Sequence, residues 1–115
     1  MSISIAHKIL TAEQWASFQA AGSFTGAPID LADGYIHLST ADQVTETVDK
    51  HFAEQSGLWI AAVDLTKLGD AVKWEVSRGG ALFPHLYATL SMDAVIAATP
   101  LERDDNGKVR LPGAA

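Results

Sequence analysis

The stretch Gly34-Tyr-Ile-His-Leu-Ser39 runs straight into Thr40-Ala-Asp-Gln43, and this junction sets the fold class. In the first stretch polar and apolar side chains alternate, which predicts a short strand with one polar and one apolar face. Thr40 and Gln43 have the spacing of a capping box, which predicts that a helix begins at once and continues to about Glu54. The sequence therefore predicts a strand followed directly by a capped helix.

The residues before this junction have the same order of elements. An alternating pattern predicts a strand in residues 3–9, with Ile3, Ile5, His7 and Ile9 on one face. Thr11 and Gln14 form another capping box, so we expect a helix that ends near Gly22. The glycines, proline and aspartates of residues 22–34 predict a long loop.

The residues after the junction predict a run of five strands. These strands cover residues 58–64, 71–76, 83–90, 95–101 and 108–111. The first is almost wholly apolar, as in a central strand buried on both faces. Asn106-Gly107 predicts a type I′ hairpin that returns residues 108–111 onto the strand beginning at Val95, and Pro100 predicts that this hairpin lies near a sheet edge or a bulge. Two early helices followed by strands predict an α+β fold with a mostly antiparallel sheet, in a single domain of residues 1–115.

Composition excludes several classes of protein. Of the 115 residues, 48% are hydrophobic and 19% are charged, which indicates a globular chain. The absence of cysteine excludes a disulfide scaffold, a thiolate zinc site and a cysteine nucleophile. The net charge of −6 gives no electrostatic reason for strong nucleic acid binding. No stretch is typical of a secretory signal or a membrane helix, so we expect a cytoplasmic protein without membrane contact.

Histidines on the polar faces of strands are the main candidates for chemistry near neutral pH. His37 shares a strand face with Tyr35 and Ser39. His85 shares a face with Tyr87 on a later strand. If the first strand, which carries His7, lies beside these two, three histidines line one cleft.

Each histidine also has a purely structural explanation. His7, among isoleucines, fits a buried imidazole bonded to a backbone carbonyl. His37 fits a half-exposed sheet residue, and His85 fits a turn residue after Pro84. His51, near the end of a helix, is explained by the helix dipole without any function.

Two charged residues extend the candidate site. Glu75 follows Trp74, and a carboxylate beside bulky aromatic rings is expected to have a raised pKa and to act as an acid or base. The alternative is an exposed strand residue paired with Lys73 or Arg78. Arg78 precedes two glycines, which fits either an anion clamp over a cleft or a solvated loop residue.

Several motifs together resemble a family of small bacterial proteins, known as domain of unknown function 952. The motifs are His7-Lys-Ile, Gly34-Tyr-Ile-His-Leu-Ser39 with Gln43-Val44, Trp74-Glu75 and Phe83-Pro-His-Leu-Tyr87. The resemblance extends from Ile5 to about Val95. It implies the fold of the ADP-ribosyltransferases and therefore NAD or a related nucleotide as the ligand.

The resemblance also implies roles for individual residues. His7 matches the residue that holds the NAD ribose on the first strand, and residues 35–39 match the wall of the nicotinamide pocket. Where a late strand usually supplies a catalytic glutamate, this chain has His85, and Glu75 is the nearby carboxylate. The catalytic candidates are then His37, His85 and Glu75, and the ligand-binding candidates are His7, Tyr35, Ser39, Arg78 and Tyr87, with no metal ligand among them.

Two alternatives from other functional classes remain open. Three neutral imidazoles, those of His7, His37 and His85, are also the ligand set of a zinc-dependent hydrolase. The acidic surface and the predicted loop of residues 22–34 are compatible with a non-catalytic module that binds a small metabolite or a partner protein.

Overall fold

The structure, a computed structural model, describes residues 4–77 and 80–112. The described elements are, in chain order, β1 (Ile5–Thr11), α1 (Ala12–Ala21), β2 (Ser23–Phe24), α2 (Pro28–Asp33), β3 (Ile36–His37), α3 (Val44–His51), β4 (Leu58–Asp64), β5 (Val72–Val76), β6 (Leu82–Leu86), β7 (Leu90–Ser91) and β8 (Val95–Pro100). All strand pairs among them are antiparallel. The described residues thus form the expected α+β fold, with three α-helices rather than two.

Two three-stranded sheets, ordered β1-β4-β8 and β3-β6-β5, meet at one point. The backbone N–H of His7 donates to the Ser39 carbonyl at 2.7 Å, and the N–H of Ser39 donates to the His7 carbonyl at 2.9 Å. This pair of bonds brings the edge of β1 against the end of β3. It therefore aligns the polar faces of strands that belong to different sheets.

The apolar core lies on both faces of the first sheet. On one face, Leu10 packs in a cluster with residues of α1 and β3 such as Phe18 and Ile36. On the other face, Ile9 packs against α3 at Val44 and Val48. β4 lies in the middle of this sheet and is mostly buried, as its continuous apolar sequence predicts.

The two predicted capping boxes have different outcomes. At α1, the Thr11 hydroxyl accepts the Gln14 N–H at 3.0 Å and the Gln14 side chain accepts the Thr11 N–H at 2.9 Å, so this box is confirmed. At α3 only half of the box forms, because Gln43 accepts the Thr40 N–H at 3.0 Å while its own N–H bonds the Thr40 carbonyl. The helix consequently begins at Val44, and it ends at His51 rather than near Glu54.

The prediction of a long loop at residues 22–34 is wrong, because this segment contains β2 and α2. Pro28 occupies the first turn of α2, where its missing N–H costs nothing. The Asp30 carboxylate accepts the Ala27 N–H at 2.8 Å and so caps the helix start. Gly34, with φ 88°, ends the helix in the left-handed conformation.

The predicted strand at residues 83–90 is interrupted. β6 ends at Leu86, where its pairing with both β3 and β5 stops. After three exposed residues the chain pairs again at Leu90–Ser91, now with β2. Trp74 is 38% exposed because it lies on β5 at the edge of its sheet.

The predicted hairpin at Asn106-Gly107 also differs. The positive φ lies on Gly107 alone, at 82°, and the Gly107 N–H bonds the Asp104 carbonyl. This geometry fits a longer loop with a bulge rather than a two-residue type I′ turn. The returning segment pairs through Arg103 and Val109, beyond the end of β8, and forms no strand among the described residues. β8 itself is an edge strand, which agrees with the edge position predicted from Pro100, and it ends at Pro100 rather than at Leu101.

Candidate functional site

A cavity of about 550 Å³ lies where the two sheets meet. His7, His37 and His85 all line it, together with Ser39 and, from α3, Thr47 and His51. The strand register explains this convergence, because His37 is the direct cross-strand partner of His85 and Ser39 is that of His7. Cross-strand partners share one face of a sheet. Glu75 and the two tyrosines are not among the residues that line this cavity.

Asp30 is the most deeply buried charged side chain beside the cavity, at 1% exposure. Its carboxylate lies 2.9 Å from the Lys8 ammonium and 2.6 Å from Nδ1 of His37. Burial on its own raises the pKa of Asp30, but the His37 hydrogen bond, the Lys8 charge and the Ala27 N–H outweigh it and hold this pKa well below its ordinary range. Asp30 is therefore a carboxylate at neutral pH, and it ties α2 to β1 and β3.

Lys8 is 5% exposed and completes this buried network. Its ammonium donates to Asp30 and also to the His37 carbonyl at 3.1 Å, and it lies 5.9 Å from the centre of the Phe24 ring. Burial lowers the pKa of Lys8, and the charge of Asp30 opposes that shift. Removing the carboxylate would therefore leave a buried cation without its compensating charge.

Both ring nitrogens of His37 lie against carboxylates. Nδ1 is 2.6 Å from Asp30, and Nε2 is 2.9 Å from Asp33 on the last turn of α2. Only the doubly protonated imidazolium can donate to both at once. In that form His37 places a positive charge at the cavity wall while neither nitrogen is free to take up a proton.

His85 has a different arrangement. It is 2% exposed, and its Nδ1 lies 2.8 Å from Oε1 of Glu75. A carboxylate that accepts from Nδ1–H leaves Nε2 as the acceptor, which is the tautomer of a general base.

The expected raised pKa of Glu75 is wrong. Hydrogen bonds from the Tyr87 hydroxyl, at 2.7 Å, and from His85 lower the pKa of this carboxyl, because they stabilise its charged form. The same bond to Glu75 raises the pKa of Tyr87 to about 12. Glu75 is therefore an anion that holds both His85 and Tyr87, rather than a protonated acid.

Tyr35 is in contact with the other rings of the site. Its ring stacks on His85 with centres 4.1 Å apart and planes 22° apart, and it lies 5.2 Å from the ring of Tyr87. Burial raises the pKa of Tyr35, and the nearby charges of Asp33 and Glu75 add to the shift. Tyr35 and Tyr87 line a second cavity of about 320 Å³.

His7 differs from the other two histidines. It is 4% exposed, and its Nδ1 is fully buried without a hydrogen-bond partner among the described residues. The imidazole still has a hydrogen bond to the backbone of Ser39, the kind of contact expected for a buried histidine. Burial lowers the pKa of His7, and the backbone of Ser39 partly offsets this shift. A neutral imidazole with an unused nitrogen consequently lines the cavity.

Several residues of the site were not found by sequence reasoning. Thr47, whose hydroxyl lies 2.9 Å from that of Ser39, sits on α3 and carried no motif. Lys8 and Asp30 are 22 positions apart, and Asp30 fell in a segment expected to be a loop. The only available signal was the Pro28 and Asp30 spacing of a helix start. Arg78, the expected anion clamp, lies outside the described residues.

The geometry required by a zinc hydrolase is not present in the described part of the chain. No group of three or more histidine, cysteine, aspartate or glutamate side chains there is placed to hold a metal ion.

None of the helices in residues 4–77 and 80–112 has the length and apolar character needed to cross a membrane.

Comparison with known proteins places the chain beside structures from Caulobacter crescentus. The crystal structure of protein CC0527 is 43% identical, with a TM-score of 0.85, over 93% of this chain and 94% of that chain. The solution NMR structure of CC0527 is 44% identical, with a TM-score of 0.79, over 93% of this chain and 91% of that one. No curated protein matches the chain. Residues 9–98 match the family described as "Protein of unknown function (DUF952)", and the chain belongs to that family.

Proposed function

We propose that the cavity is a binding and catalytic site for a ribose-containing nucleotide, with NAD as the first compound to test. The observation that carries the proposal is the convergence of His7, His37 and His85 on one cavity of about 550 Å³. Small-molecule sites typically have volumes of roughly 300–1,000 Å³ and a few convergent polar groups. The ADP-ribosyltransferase fold implied by the sequence motifs supports the choice of NAD.

Binding is assigned to the inner wall of the cavity. The neutral imidazole of His7 and the Ser39 hydroxyl both line this wall, and the hydroxyl can donate to or accept from a hydroxyl of the ligand. The two hydroxyl groups of a ribose can act both as hydrogen-bond donors and as acceptors. Tyr35 and Tyr87 offer ring faces to a planar base in the second cavity.

Catalysis is assigned to His85. Its Nε2 takes the proton of the attacking hydroxyl, from water or from an acceptor, as the bond between nicotinamide and ribose breaks. The products with water are nicotinamide and ADP-ribose. Glu75 acts through His85 and is a positioning residue, while His37, held between Asp30 and Asp33, is a polar group of the cavity wall. Arg78 remains a prediction as an anion clamp.

A thermal-shift titration with NAD, paired with chromatographic detection of released nicotinamide, tests the proposal. A ligand at about 100 times its dissociation constant stabilises the folded protein by about 2.7 kcal/mol. We expect Ser39→Ala to reduce the NAD-induced shift, while Ser17→Ala, on the exposed side of α1, keeps it.

The outcomes separate the functional classes. A shift with nicotinamide release that is lost in His85→Gln supports an enzyme. A shift without any turnover supports the non-catalytic binding module instead. No shift at millimolar NAD overturns the choice of ligand and leaves the cavity without this function.

A further inference from the structure

We propose that two copies of this chain pair through strand β5 about a two-fold axis. β5 is the edge of the sheet β3-β6-β5, and only β6 pairs with it among the described strands. An edge strand presents unpaired backbone groups that accept another strand. Such pairing depends on the strand and not on the ligand proposed above.

The sequence of β5 is self-complementary. It reads Val72-Lys-Trp-Glu-Val76 and is symmetric in residue class about Trp74. In an antiparallel pair centred on Trp74, Lys73 of each copy faces Glu75 of the other. Opposite charges directly across a sheet stabilise it, and the two-fold axis repeats the contact.

The hydrogen-bond register agrees with this pairing. The Ala71 carbonyl accepts the Tyr87 N–H at 2.8 Å, and the Ser77 N–H donates to the Ala81 carbonyl at 2.9 Å, so the odd-numbered residues of this segment point their polar backbone groups toward β6. Because antiparallel strands alternate, Trp74 and Val76 direct theirs toward the open edge. Two Trp74 residues facing each other can therefore exchange both N–H···O=C bonds.

The apolar face of the same strand packs against the core at Val72 but is open from Trp74 onward. Trp74 is 38% exposed, Val76 is 68% exposed, and Leu82, the cross-strand partner of Val76, is 52% exposed. These three residues form a continuous apolar patch beside the open edge. A second copy of β5 brings the same side chains to the same face and covers them.

Such a pair also reaches the candidate site. The Glu75 side chain is 41% exposed, and Oε1 alone makes its contacts to His85 and Tyr87. Lys73 of the second copy would bring an ammonium group next to this carboxylate. Pairing therefore adds a charge from the second copy beside the residue that holds His85.

Light scattering after size exclusion tests the proposal, with sedimentation velocity over a range of concentrations up to near-millimolar. We expect the mass to rise toward twice the monomer value of 12.2 kDa. Lys73→Glu should return the mass to that of the monomer, because it places two carboxylates opposite each other. The double variant Lys73→Glu, Glu75→Lys reverses both charges and should restore the pair.

Val76→Lys provides a second disruption, since its side chain is exposed and its replacement leaves the core intact. Ile96→Lys, at an exposed position of β8, an edge strand of the first sheet, is the matched control and should still associate. Circular dichroism of each variant verifies folding. A mass of 12.2 kDa at every concentration overturns the proposal, as does an oligomer that survives both Lys73→Glu and Val76→Lys.

Discussion

Asp30 connects the helix α2 to two strands through a single carboxylate. Its partners Lys8 and His37 come from β1 and β3, and both Asp30 and Lys8 are almost fully buried. A buried ion pair of this kind is weak evidence for net stabilisation, but breaking it is costly because one charge stays behind. The loss of stability on breaking the pair can therefore be measured by substituting one residue at a time.

Asp30→Asn should lower the free energy of unfolding by about 3–5 kcal/mol, the usual cost of removing one partner from a buried pair. Urea denaturation measures the effect. Asp70→Asn, at an exposed position, is the control and should change stability little. An Asp30→Asn variant as stable as the parent chain would contradict the role given to Asp30.

Acid should remove the contribution of Asp30. The pKa of Asp30 in the folded protein lies below its ordinary value of 3.8, so its stabilisation is present above that pH and is lost as the pH falls through the folded-state pKa. We therefore expect the stability difference between the parent chain and Asp30→Asn to shrink below about pH 4. A difference that stays constant down to strongly acidic pH would refute the assignment.

His7 should make stability pH-dependent in a higher range. Burial lowers its pKa from the ordinary 6.5, so the unfolded chain binds this proton more readily than the folded one. The contribution of His7 to the free energy of unfolding is therefore fully present above pH 6.5, and it decreases as the pH falls below 6.5. His7→Gln should flatten the fall, as measured by denaturation at several pH values, and an unchanged profile would count against a buried neutral His7.

Sequence reasoning at this scale succeeded where strand parity applied. Alternation along short strands placed His37 and Ser39 on one face, and His85 on the corresponding face of another strand. It failed for the pKa of Glu75, because the hydroxyl of Tyr87 and the ring of His85 reach that carboxylate from a neighbouring strand. Contacts between strands depend on register, which alternation within one strand does not reveal.

At the scale of elements, α2 carries the polar contacts into the site. Asp30 and Asp33 lie on it, and both contact His37. Ile29 and Leu31, exposed at 56% and 64%, lie on α2 at the first and second cavity respectively. The position of this short helix therefore controls both cavities.

Gly34→Ala should strain the end of α2. Its φ of 88° is in the left-handed region, and no atom lies within 4 Å of an added Cβ, so the cost is one of backbone conformation, about 1–2 kcal/mol. Gly22→Ala, at the equivalent end of α1 with φ 77°, is matched in conformation and space. We expect similar losses of stability in both, but weakened NAD binding only in Gly34→Ala. Equal NAD affinities in the two variants would show that α2 does not control the site.

Sequence patterns located the long elements and the short strand β3, and they missed β2, α2 and β7. The Thr11 and Gln14 box and the apolar run of β4 are strong local signals, and both elements formed as expected. β2, α2 and β7 have between two and six residues, and they depend on partners far along the chain. Tertiary pairing, which no local pattern contains, decides such short elements.

At the scale of the whole molecule, the candidate site depends on two sheets that meet at a single pair of residues. The bonds between His7 and Ser39 bring β1 to β3 and so place three histidines around one cavity. The α+β class followed from the order of elements along the chain. The contact between the two sheets could not be predicted from that order, because one isolated bridge between distant residues leaves no periodic signal in the sequence.

The central claim, that this cavity binds a ribose-containing nucleotide, is tested most directly by NMR titration of the histidine ring resonances with NAD. The chain has four histidines, so each ring signal can be assigned by substitution. We expect saturable shifts at His7, His37 and His85 as NAD is added. Unchanged signals from all three rings at millimolar NAD would contradict the claim.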